Sequence, residues 1–138
     1  MYSIISQTLH AERPLESIFD LVDLAREGLT ASSIYFLIEA LEISVDEMVA
    51  LLPISRRTLE RYEATQKLSP ELSDRLIQIA RVYSRTLDIW GDRDLALRWL
   101  KSPCTAFGGV IPLSYLNLGS GFEIVIDELG RIEYGVYS

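Results

Sequence analysis

The sequence predicts an all-α fold for its 138 residues. Two observations carry this. Apolar residues recur three and four positions apart through most of the chain, the period of helices with one face turned inward. Ser and Asp at helix starts and Gly or Pro at helix ends punctuate those stretches. One segment, FEIVIDE at 122–128, has the β-branched make-up of a strand. No hairpin partner is visible for it, so it also reads as helix.

The elements follow in order. Residues 14–27 place Leu15, Ile18, Phe19, Val22 and Ala25 or Arg26 on one face, and Gly28 supplies a stop. A second helix, about 31–42, carries Ile34, Leu37, Ile38 and Leu41. SVDE at 44–47 is a capping box and starts a short helix ending near Pro53. Ser55 caps the next, running to about Gln66. Ser69-Pro70 opens a long helix whose apolar face runs from Leu72 through Leu76, Ile79, Tyr83 and Leu87 to Trp90, ahead of Gly91. Asp92 caps a helix closed by Ser102-Pro103. CTAFGGVIP (104–112) reads as a turn-rich connector between two lobes. A short helix near 112–117, a final one from about Ser120 to Leu129 and the tail GRIEYGVYS complete the chain.

Composition bounds the function. A chain of this length buries about 68% of its unfolded surface and needs no staples. With 49% hydrophobic and 24% charged residues it lies outside the disordered class. The one cysteine, Cys104, and the one histidine, His10, form neither a disulfide nor a zinc cluster. Cys104 lacks a nearby base and the Phe107-Gly108-Gly109 run lacks the lysine of a phosphate loop, so no catalytic constellation is expected. Neither a cofactor nor a metal is expected either. Trp90 and Trp99 read as core packing. Without a signal peptide or a long apolar segment, the expected location is the cytoplasm, with no membrane partner.

The formal net charge of −7 is unevenly spread. Residues 1–50 carry two basic and nine acidic side chains, 51–101 ten and seven, and 102–138 one and four. The middle is therefore net positive. It contains a helix-turn-helix pattern, in which Met48, Leu52, Ile54, Leu59 and Tyr62 have the spacing to pack two short helices together. The outward positions of the second helix are Ser55, Arg56, Arg57, Glu60 and Arg61, with Lys67 beyond it. Arginine suits guanine edges or phosphates, and the Ser55 hydroxyl suits a phosphate oxygen. Glu60 can accept from cytosine or pair with Arg56 four residues back. Pro53 stands where such turns usually have glycine; because proline cannot take the left-handed conformation, the turn must follow another path.

From about residue 30 onward the chain resembles the Xre/MbcA/ParS antitoxin family. ISRRTLERY, LSPELSDRL, ALRWLKSPCTAFGGVIPLSYL and ELGRIEYGVYS carry the likeness. Cys104 and Asn117-Leu118 depart from the usual residues at their positions. The resemblance implies an antitoxin that neutralises a RES-domain toxin, an enzyme that consumes NAD or ADP-ribosylates a target, by covering its active site. It also implies autorepression of the shared operon through operator DNA, usually as a homodimer. The organisation expected is a helical extension over 1–30, a helix-turn-helix region over 31–90 and a toxin-binding domain over 91–138. The residues implied in toxin contact are Arg131, Glu133, Tyr134, Gly135, Val136, Tyr137 and Ser138. The reading from another class is a stand-alone helix-turn-helix regulator whose C-terminal lobe dimerises.

Overall fold

The computed structural model describes residues 1–135; Val136, Tyr137 and Ser138 lie outside the described residues. All regular structure there is helical: α1 (Tyr2–Leu9), α2 (Ile18–Glu27), α3 (Ser32–Leu41), α4 (Val45–Val49), α5 (Arg56–Arg61), α6 (Pro70–Trp90), α7 (Arg93–Leu100) and α8 (Gly119–Glu133), with 3-10 turns at Thr105–Phe107 and Pro112–Tyr115. FEIVIDE lies within α8, as the absence of a strand partner implies. The chain forms two compact units, Met1–Arg81 and Val82–Ser138.

In the first unit Ile5, Leu9, Ile34, Leu37, Leu41, Met48, Leu59, Leu76 and Ile79 are fully buried. Residues 2–9 carry no clear helical period, since only Ile5 and Leu9 mark an inward face among Ser3, Ser6 and Thr8. Packing on α3 makes the helix: the Ser33 hydroxyl donates to the Leu9 carbonyl at 3.4 Å, and His10 stacks on Phe36 with centroids 3.6 Å apart.

The structure corrects the face assigned to α2. The helix starts at Ile18 rather than Pro14, capped by Ser17, with the Asp20 carboxylate accepting from the Ser17 and Glu16 amides at 3.1 and 2.8 Å. It buries Leu21, Leu24 and Ala25 and leaves Ile18, Phe19 and Val22 exposed. Both stripes are apolar, so periodicity alone selects the wrong one.

α5 is shorter than expected, ending at Arg61 instead of near Gln66. The backbone beyond it is taken up by another partner. Ser32 and Ala31 donate to the Ala64 and Gln66 carbonyls at 3.1 and 2.9 Å, and Leu68 donates to Leu29 at 2.8 Å. Gly28 is required at this crossing. Its φ is +86°, and a Cβ there would meet the Leu68 carbonyl oxygen at 2.5 Å.

In the second unit, Leu97, Leu100, Leu113, Leu116, Val125 and Leu129 form the core. The stretch 104–110 closes on itself inside this unit: the Cys104 amide donates to Val110 at 3.0 Å and the Gly109 amide to Cys104 at 2.9 Å. It is a tight loop and does not separate lobes. Trp90 stacks on Trp99 at 5.3 Å, and the row continues edge-on through Phe107 to Tyr115. All four rings are half-buried, so the tryptophans cap the unit's edge and do not fill its centre. α8 continues through Gly130 to Glu133, four residues past the expected end. Buried Leu129 and the ion pair of Glu133 with Arg85 at 2.8 Å offset the roughly 1 kcal/mol that a helical glycine costs.

Candidate functional site

α4 begins as its sequence requires: the Glu47 amide donates to Ser44 Oγ at 3.0 Å and the Ser44 amide to Glu47 Oε1 at 3.3 Å. α5 is capped by Ser55, whose Oγ accepts from the Thr58 amide at 3.1 Å and donates to the Thr58 hydroxyl at 3.0 Å. That hydroxyl is committed to the helix start. Met48, Leu52 and Leu59 are buried between the helices, joined by Leu51; Ile54 and Tyr62 are half-buried.

The turn between α4 and α5 contains no residue with positive φ. Pro53 has no amide hydrogen, and the Leu51 carbonyl, in the turn two residues past the end of α4, is met from elsewhere. Arg75 Nη1, on α6, donates to it at 2.7 Å. Nothing local in the sequence marks Arg75 for this contact, because it lies 24 positions from Leu51 on a different helix.

Ser55, Arg56, Arg57, Glu60 and Arg61 are all exposed, as the helix-turn-helix pattern implies. Their engagements differ. Arg56 is pinned by Asp46 of α4 and by Glu60 at 3.0 Å, and these hydrogen bonds, that of Asp46 first, raise its pKa above the ordinary arginine value. It fastens the two helices together. Arg57 and Arg61 make no ion pair among the described residues. Lys67 stands apart from α5, its ammonium donating to the Gly28 carbonyl at 3.2 Å.

In the second unit, Arg131 reaches back to the buried Glu128 at 3.4 Å, and Glu133 is held by Arg85. Both belong to the last turn of α8. Tyr134, at the helix end, is 77% exposed, and Gly135 takes a φ of +68°. The expected contact residues Val136, Tyr137 and Ser138 lie outside the described residues. No group of three or more His, Cys, Asp or Glu side chains among the described residues could hold a metal ion. No helix there is long and apolar enough to cross a membrane.

Two short capped helices joined by a glycine-free turn, with free arginines on the outer face of the second, define a helix-turn-helix protein carrying a second helical unit. Residues 20–81 match the antitoxin Xre-like helix-turn-helix domain, and residues 86–135 match the antitoxin Xre/MbcA/ParS C-terminal toxin-binding domain. Among curated relatives, an antitoxin Xre of Yersinia enterocolitica is 30% identical over 120 residues, covering 86% of this chain and 81% of that protein. An antitoxin Xre of Photorhabdus laumondii is 37% identical over 79 residues, covering 56% of this chain and 53% of that protein. A Prs ADP-ribosylating antitoxin of a Sphingobium species is 27% identical over 129 residues, covering 86% and 81%. The chain belongs to the Xre/MbcA/ParS antitoxin family: it is an antitoxin of a toxin-antitoxin system with a helix-turn-helix.

Proposed function

We propose that this antitoxin neutralises a RES-domain toxin that consumes NAD or ADP-ribosylates a target, by covering the toxin's active site with the end of α8 and the residues after it. We propose equally that it represses its own operon by binding operator DNA through α5, as a homodimer, in the cytoplasm. The name of the Sphingobium relative supports a partner that transfers ADP-ribose. The observation that carries the toxin half is Tyr134: a large aromatic residue that its own chain leaves 77% exposed beside Arg131 and Glu133 is the kind of anchor that dominates interfaces. The DNA half rests on Arg57 and Arg61, exposed on α5 and without ion-pair partners among the described residues.

Both halves are tested on one set of proteins. Arg57→Ala with Arg61→Ala weakens operator binding and lowers the salt slope by up to about 0.9 per lost phosphate contact, while the fold and toxin inhibition persist. A chain ending at Glu133 loses toxin inhibition, chiefly through faster dissociation, and keeps operator affinity. Full inhibition by that shortened protein would remove the chain end as the inhibitory element, and an unchanged operator titration by the double variant would remove α5 as the reader.

A further inference from the structure

The α2 helix presents two apolar stripes, and its own unit covers only one. Leu21, Leu24 and Ala25 are buried. Ile18, Phe19 and Val22 are 42, 76 and 43% exposed, and at roughly 100° per residue they share one side of the helix, along with the position of Arg26. Phe19 is the most exposed of the three, on a helix that is otherwise well packed. A contiguous apolar stripe on a stable helix marks a surface that something else covers.

We infer that this stripe is where a second copy of the chain docks, α2 against α2, antiparallel across a two-fold axis. The charges at its ends select that occupant. Glu16 lies just before the helix and Arg26 in its last turn, both exposed and both outside any ion pair among the described residues. From Ile18, the first helical residue, to Arg26 the helix rises about 12 Å at 1.5 Å per residue, and Glu16 precedes that start. An antiparallel copy sets Phe19 against the partner's Val22 and brings each Arg26 to the partner's Glu16, so one surface satisfies itself twice. A parallel copy would stack Arg26 on Arg26. Antiparallel helix dipoles also attract. A helix-turn-helix that reads two half-sites requires a two-fold relation between copies, and in that respect the inference rests on the operator-binding reading. The pairing itself stands on the stripe and its end charges.

The test uses the full chain with reductant present, so that the free Cys104 thiol cannot link copies. Sedimentation equilibrium should show the wild type as a dimer. Phe19→Glu should raise the dissociation constant by at least about tenfold with an unchanged far-UV circular dichroism spectrum, since the side chain is largely exposed within its own chain, while the melting temperature should lose its dependence on protein concentration. Glu16→Arg and Arg26→Glu should each weaken the dimer by about threefold or more, and the two together should restore it, because the swap returns complementary ends. A monomeric wild type overturns the inference. So does a Phe19→Glu chain as dimeric as the wild type, or a double swap no tighter than the single variants. The Arg57→Ala, Arg61→Ala protein separates this from the operator reading: it must remain dimeric while losing DNA. If the wild type dimerises through this stripe yet binds no operator, the operator reading alone fails.

Discussion

Replacing Arg75 with Met keeps most of the side chain's length and removes only the guanidinium. In the structure that group donates to the Leu51 carbonyl at 2.7 Å, from a half-buried position on α6. Leu51 and Leu52 are themselves nearly covered, at 4 and 7% exposure, so water has limited access to the orphaned oxygen. Hydrogen bonds to charged groups contribute about 1.5–3 kcal/mol; with the guanidinium partly solvated, the lower end applies, about 1.5 kcal/mol. Operator affinity should fall by more than this loss of stability can account for at 25 °C, because the protein remains folded while the turn that aims α5 is loosened. Arg75→Lys, which keeps a cation and one donor, should recover part of the affinity. Urea denaturation and a fluorescence-anisotropy titration on the same three proteins give both numbers. If Arg75→Met lowers stability but leaves operator affinity untouched, the contact merely props the fold. If neither changes, Arg75 does not hold the turn.

Three further outcomes follow from single positions. Gly28→Ala should cost about 1–3 kcal/mol or more in chemical denaturation, since the residue combines a positive φ with a Cβ 2.5 Å from the Leu68 oxygen. Gly121→Ala should be worse for the second unit, because the added Cβ would lie 1.9 Å from the Tyr115 oxygen, and limited proteolysis should then cut within 82–135 while sparing the first unit. The Asp20 carboxyl is held below its ordinary value of 3.8 first by the Glu16 amide and then, against the opposing effect of burial, by the Ser17 amide and Arg13. Because that carboxyl is depressed in the folded state, its stabilisation is complete above 3.8 and disappears as the pH falls through the lower folded value. Asp20→Asn should therefore show a flatter stability curve on the acid side than the wild type, and parallel curves would refute the assignment.

Capping chemistry is what made most of this fold legible. Ser44 with Glu47, Ser55, Ser69 and Asp92 each start a helix where the sequence places it, because a cap is a local hydrogen bond that needs no distant partner. The features that escaped are those decided by distant chain. α1 exists because α3 receives it, and α5 stops early because residues 64–68 bond to 29–32. Periodicity misplaces the inward stripe of α2 for a related reason: it reports apolar faces and does not say who covers them. In the candidate site, exposure of the α5 positions could be read from spacing. That Arg56 fastens α4 to α5 could not, since its strongest partner, Asp46, lies ten positions back in another helix.

The border between the two units, at Arg81 and Val82, falls inside the continuous helix α6, with Ile77, Ile79 and Ala80 buried before it and Val82 and Tyr83 after it. Severing the chain there would leave up to four amides and four carbonyls without helical partners. Either half made alone must therefore carry all of α6, so that residues 70–90 belong to both. The same constraint governs recombination. Exchange of DNA specificity and toxin specificity between antitoxins of this kind cannot join sequences freely at the border that compactness marks. Crossovers that preserve both units lie at Gly91 and Asp92, beyond the helix, and a chimera joined there inherits its α6 whole from the DNA-binding parent, including the surface against which the other parent's core must fit.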